Sequence, residues 1–148
     1  MNQISKRMKC LLVFGLAIVF LSACQAQKYT PSDFQGKQLT FGSGGGFTGQ
    51  VIQYTLLENG QLFQSHGLTK EVKELKGVSR TKSEQLFGQA EKLDLAKLDF
   101  NHPGNLYHFI HIKRGNTIQK VTWGSIQDKV PSEVEALYQE LKAVISTN

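Results

Sequence analysis

The chain has 148 residues, with 17 Lys and Arg against 12 Asp and Glu and only two cysteines. That length suits one ordinary domain, long enough for a real core. Three of the basic residues, Lys6, Arg7 and Lys9, lie in the first ten positions. Without them 14 bases face 12 acids, the formal charge falls from +5 to +2, and nothing in the charge calls for a nucleic-acid partner.

Those three cations precede an apolar run, residues 11–21, broken in bulk only by Gly15. Eleven residues suit the core of a secretory signal and fall short of the ~20 needed to span a bilayer. The run ends in Leu21-Ser22-Ala23-Cys24. Small residues before a cysteine, with leucine three positions before it, resemble the lipobox of bacterial lipoproteins. The resemblance implies cleavage before Cys24, a diacylglycerol on its sulfur and stable anchoring by two or more acyl chains. It predicts a signal peptide at 1–23, a lipidated N-terminus and tether at 24–36, and one domain at 37–148. Cys10 would leave with the signal, so the mature domain would have no free thiol and no disulfide. Gln25 is not the aspartate associated with inner-membrane retention, which favours an outer membrane in a cell envelope that has one.

Within the tether, Tyr29 and Phe34 are the residues able to pack. Residues 37–41 alternate, with Leu39 and Phe41 on one face, and read as a strand. Residues 42–49 read as a glycine-rich loop. Ile52, Tyr54 and Leu56 share a face of a second strand over 50–57. Asn59-Gly60 predicts a hairpin turn, since that pair tolerates positive φ. Residues 61–65 pair back, and a further extended stretch runs over 71–78.

Thr81-Lys82-Ser83-Glu84 fits a capping box, and Leu86, Phe87, Ala90 and Leu93 follow at helical spacing. The Asn101-His102-Pro103-Gly104-Asn105 segment reads as a turn. Residues 106–113 and 117–123 form a second hairpin around Arg114-Gly115-Asn116. Ser132 and Glu135 make a second capping box after Pro131, and Val134, Leu137, Tyr138, Leu141 and Val144 give the last helix its apolar face. The order predicts an α+β fold: an antiparallel sheet of about five strands with two helices on one face.

The loop Ser43-Gly44-Gly45-Gly46-Phe47-Thr48-Gly49 is the most unusual segment, because so many glycines cost backbone entropy on ordering. Its Gly44-x-Gly46-x-x-Gly49 spacing matches a dinucleotide fingerprint formally, but a strand rather than a helix follows, and no Gly-Lys-Ser/Thr is present. Two readings remain. The glycines serve a tight strand connection, or they form an exposed loop that presents Phe47 to a partner.

This loop, followed by Tyr54 and Asn59-Gly60, is similar to the Ser-Gly-Gly-Phe-x-Gly signature of emfourin-like proteins. These are small α+β inhibitors of thermolysin-type zinc metallopeptidases. The chain departs from the signature by an extra glycine and by Thr48 where alanine is usual. Pro103-Gly104-Asn105 and Trp123-Gly124 resemble a set of uncharacterised lipoproteins that share the loop. The resemblance implies a fold and, if the activity follows, contact of the Phe47 loop with a secreted or periplasmic peptidase or another envelope protein.

The candidate catalytic residues do not assemble. His108 and His111 fall on opposite faces of one strand and cannot share an ion. Ser43 and Ser65 lack a nucleophile elbow. Glu71, Glu74 and Glu84 read as parts of solvated charged faces. Trp123, at a strand end, reads as core. The sequence therefore predicts a non-enzymatic binding module without catalytic residues, metal or cofactor. The alternatives are an accessory envelope lipoprotein whose loop is only a fold feature, and a small-molecule-binding domain.

Overall fold

The computed structural model describes residues 27–146 apart from 68 and 70. The expected signal peptide and the cysteine of the expected lipobox, Cys24, lie outside the described residues. The fold is α+β. A seven-stranded sheet runs in the order β4-β3-β2-β1-β6-β7-β5. Its strands are β1 (Gln38–Gly45), β2 (Val51–Leu57), β3 (Leu62–His66), β4 (Val72–Leu75), β5 (Asn101–His102), β6 (Leu106–Arg114) and β7 (Thr117–Trp123). Two long helices, α1 (Arg80–Lys92) and α3 (Ser132–Ser146), flank a one-turn helix α2 (Leu95–Leu98).

Alternation in the strands explains the layering. Leu39 and Phe41 of β1, Leu56 of β2, Ile110 and Ile112 of β6 and Val121 of β7 point one way. They form one core with Leu86, Phe87 and Ala90 of α1 and Val134, Leu137, Tyr138 and Leu141 of α3. Trp123 joins this core at 6 % exposure, as its strand-end position suggested. The helices thus cover one face of the sheet.

The sheet differs from the expected one in number and direction. Asn101 and His102, expected in a turn, form a short strand parallel to β7, pairing with Thr122 and Trp123. The short helix α2 sets up this reversal, because Asp94 and Asp99 at its ends adopt positive φ (42° and 38°). The other pairings are antiparallel.

Strand β1 does not stop at Phe41. It continues to Gly45, pairing with β6 throughout and with β2 as far as Gly44. Gly42 and Gly44 permit this by lacking side chains on the face that no helix covers. A Cβ on Gly42 would meet the Ile52 carbonyl and lie 3.0 Å from Phe109 Cζ, and one on Gly44 would lie 2.6 Å from the Tyr107 hydroxyl. The aromatic rings of β6 occupy the space that glycine leaves.

The hairpins also differ in detail. Leu57 N donates to Gln61 O at 2.9 Å and Gly60 N to Leu57 O at 2.9 Å, giving a three-residue loop. Only Gly60 takes positive φ (92°), so Asn59 precedes a bulge rather than sharing a primed turn. Gly115 (φ 56°) opens the two-residue β6–β7 turn.

Both expected capping boxes are displaced. Ser79, not Thr81, caps α1: its hydroxyl accepts from Lys82 N at 3.3 Å. Ser83 is turned inward, where its Oγ donates to Glu58 O at 3.3 Å. At α3 the Pro131 carbonyl accepts from Val134 N and Glu135 N at 3.0 and 3.2 Å. Glu135 itself reaches Trp123 Nε1 at 2.9 Å instead of folding back on Ser132.

Part of the expected tether is packed. Tyr29 and Phe34 meet edge to face at 5.2 Å. Gln38 Nε2 donates to the carbonyls of Pro31 and Phe34 at 2.9 and 3.1 Å. Tyr29 N donates to Gln61 Oε1 at 3.2 Å, and Gln61 Nε2 to Tyr29 O at 3.3 Å. Residues 29–36 form a strap against the uncovered face, at the end of the sheet where β1 begins.

Candidate functional site

The glycine loop leaves the sheet at Gly45 (φ 97°) and Gly46 (φ 73°) and re-enters it at Val51. Gly49 N donates to Gly46 O at 3.2 Å, which closes a turn with Phe47 and Thr48 at its corners. Phe47 is fully exposed, at 108 % of its reference area. The base of the loop is held: Gly46 N donates to Asn105 O at 2.7 Å. The loop therefore has a fixed stem and a bare aromatic tip.

Two further loops stand beside it. Residues 103–106 and 124–127 lie backbone to backbone, with Gly104 and Gly124 so close that a Cβ on either would meet the other's main chain. Ser125 N donates to His102 O at 3.0 Å, and Ser125 Oγ accepts from Gln127 N and Asp128 N at 3.2 and 3.3 Å. A Cβ on Gly46 would lie 3.2 Å from Leu106 Cδ2, so the glycine loop abuts this pair. An open cleft of about 520 Å³ lies between Leu106 and Ile126. These residues are 67 % and 96 % exposed. Phe47, Leu106 and Ile126 thus crown one end of the sheet. The sequence singled out Phe47 alone. Leu106 and Ile126 look unremarkable until the topology brings their loops together.

Beneath this end, on the helix-covered face, lies a polar and aromatic cluster that the sequence did not reveal. Tyr138 of α3 donates to Gly42 O at 3.2 Å and shares a 3.0 Å hydrogen bond with His108 Nδ1. Its ring meets Trp123 edge to face at 5.1 Å and His108 at 4.9 Å. Burial pushes the Tyr138 hydroxyl up to about 12 and lowers the His108 imidazole below its ordinary value. At neutral pH both are uncharged. Ser43 stands opposite His108 across β1 and β6. The Ser43 side chain hydrogen-bonds the Tyr138 hydroxyl and so belongs to the same cluster. The cluster pins α3 under the strand from which the glycine loop emerges.

The remaining candidates stay apart. His108 faces the core and His111 the uncovered face, where it stacks on Phe109 at 4.9 Å. Glu74 pairs with Lys28 and Glu84 with Arg80, both on the surface. Among the described residues no three His, Cys, Asp or Glu side chains come together as metal ligands.

No protein-family model matches the chain, and no curated protein matches it significantly. The likeness to emfourin-like proteins therefore rests on the quoted loop, turn and element order.

Proposed function

We propose that this protein is a lipid-anchored module of the bacterial cell envelope that binds another protein through the glycine-loop end of its sheet. Acylation of Cys24 supplies the anchor. The binding reading rests above all on Phe47: a fully exposed aromatic on a loop whose stem is fixed at Asn105. A rigid stem lowers the ordering cost of docking, and a large aromatic tip is the residue type that anchors interfaces. Leu106 and Ile126 extend the apolar area. The partner class favoured by the loop's resemblance is a secreted thermolysin-type metallopeptidase.

A second reading has its own support. Gly42 and Gly44 admit Phe109 and Tyr107 to the uncovered face, which accounts for part of the glycine content by packing alone. In that case the protein is an accessory envelope lipoprotein and the loop a fold feature.

The two readings separate in one assay. The soluble chain 25–148 is tested against a broad panel of secreted metallopeptidases beside Phe47→Ala. Inhibition lost in the variant, with unchanged folding, supports the binding role. No inhibition and no complex across the panel favours the accessory reading.

A further inference from the structure

The strap and the glycine loop lie at opposite ends of the same strand. Gln38, which begins β1, holds the strap through Pro31 and Phe34, and Gly45, which ends β1, starts the loop. The eight-residue strand between them is ~23 Å long at the usual rise. The strap is fixed as far back as Tyr29, bonded twice to Gln61, and Lys28 pairs with Glu74 at 3.8 Å. Only four residue steps separate Lys28 from Cys24. Fully extended they reach at most ~14 Å.

We infer that the packed strap orients the domain on the membrane, with the strap end and the Arg114–Thr117 hairpin toward the headgroups and the Phe47 loop directed away. This rests on the lipid anchor proposed above and goes beyond it. A long free tether would let the domain tumble, whereas a link shorter than the strand it serves does not let the two ends exchange. The two ends differ in character as this orientation requires. The strap end carries Lys28, Lys76, Lys113 and Arg114 with Glu58 and Glu74 beside them, a charged surface compatible with headgroups. The loop end presents Phe47, Leu106 and Ile126. Because acids accompany the bases, tethering rather than attraction to anionic lipid sets the orientation. The partner of the loop is then a soluble or neighbouring envelope protein whose docking surface stands clear of the bilayer.

The test uses full-length protein processed in bacteria and reconstituted into phosphatidylcholine vesicles that carry a headgroup quencher. Asn116 and Thr48 are both exposed, at the strap end and the loop tip. Each is changed separately to cysteine and labelled with a fluorophore; the acylated Cys24 sulfur does not react. The expected result is strong quenching for Asn116→Cys and little for Thr48→Cys, unchanged when anionic lipid is added. A ten-residue Gly-Ser insertion between Gln27 and Lys28 should shrink the difference. Equal quenching at both positions, or a difference that appears only with anionic lipid, overturns the orientation and leaves the anchor standing. Protein recovered entirely in the soluble fraction overturns the anchor, and the orientation with it.

Discussion

The Tyr138 hydroxyl lies 3.0 Å from His108 Nδ1 and 3.2 Å from the Gly42 carbonyl, joining the last helix to two strands at the root of the glycine loop. The contact spans 96 residues of sequence. Tyr138→Phe keeps the ring that packs on Trp123 and removes both hydrogen bonds. The variant should be less stable by about 1–3 kcal/mol, because a buried carbonyl and an imidazole nitrogen lose their partner. Urea unfolding followed by Trp123 fluorescence measures it. A midpoint equal to that of the parent chain would show that the hydroxyl contributes nothing.

The uncovered face makes stability depend on pH. Burial against Phe109, with Lys120 as the lesser cause, lowers the His111 imidazole from 6.5 to about 4. His108 shifts the same way. The unfolded chain therefore binds protons at a higher pH than the folded one. The stabilisation is complete above about pH 6.5 and is lost as pH falls toward 4. Melting temperature should decline across that window, and His111→Phe should flatten the decline. An unchanged slope in that variant would mean that His111 titrates normally.

Much of the architecture could be read from alternation and turn residues. Tyr107, Phe109 and His111 take one face of β6 and His108, Ile110 and Ile112 the other, because period-two patterning fixes which side a residue faces. The glycine segment could not be divided from sequence. Gly42 and Gly44 are strand residues for the sake of Phe109 and Tyr107, more than sixty positions away. Thr81 and Glu84 have the spacing of a capping box, yet Ser79 caps the helix and Glu84 pairs with Arg80. Leu106 and Ile126 became neighbours of the glycine loop only through the register of β1 with β6 and the contact of Gly104 with Gly124. The packed strap depends on Gln38 and Gln61 side chains, whose partners composition does not disclose.

Two glycines allow opposite predictions from the same substitution. Gly42→Ala places a methyl against Ile52 O, Gln53 Cα and Phe109 Cζ, and should cost about 1–3 kcal/mol as a strand is forced apart. Gly88, within α1, has nothing within 4 Å of an added Cβ. Gly88→Ala should stabilise by about 0.5–1 kcal/mol through helix propensity and a less flexible unfolded chain. Thermal melts of the two variants check the contrast, and a stabilised Gly42→Ala would contradict the packing described for the open face.

The strap should hold the fold as well as link it. Gln38, Leu57 and Phe63 point to the face that no helix covers, yet they are 5 %, 0 % and 5 % exposed. Residues 29–36 lie at this end of the sheet and satisfy the Gln38 and Gln61 amides. A chain beginning at residue 37 should therefore lose stability relative to one beginning at residue 25, by about 2–4 kcal/mol if one large apolar side chain and two amide pairings become exposed. The Phe47 loop, at the far end of β1, should remain competent in whatever fraction stays folded. Denaturant titration of both chains, with binding measured at low temperature, separates the two effects. Equal midpoints would show the strap to be a passive link, and the short reach that orients the Phe47 loop would then be lost with it.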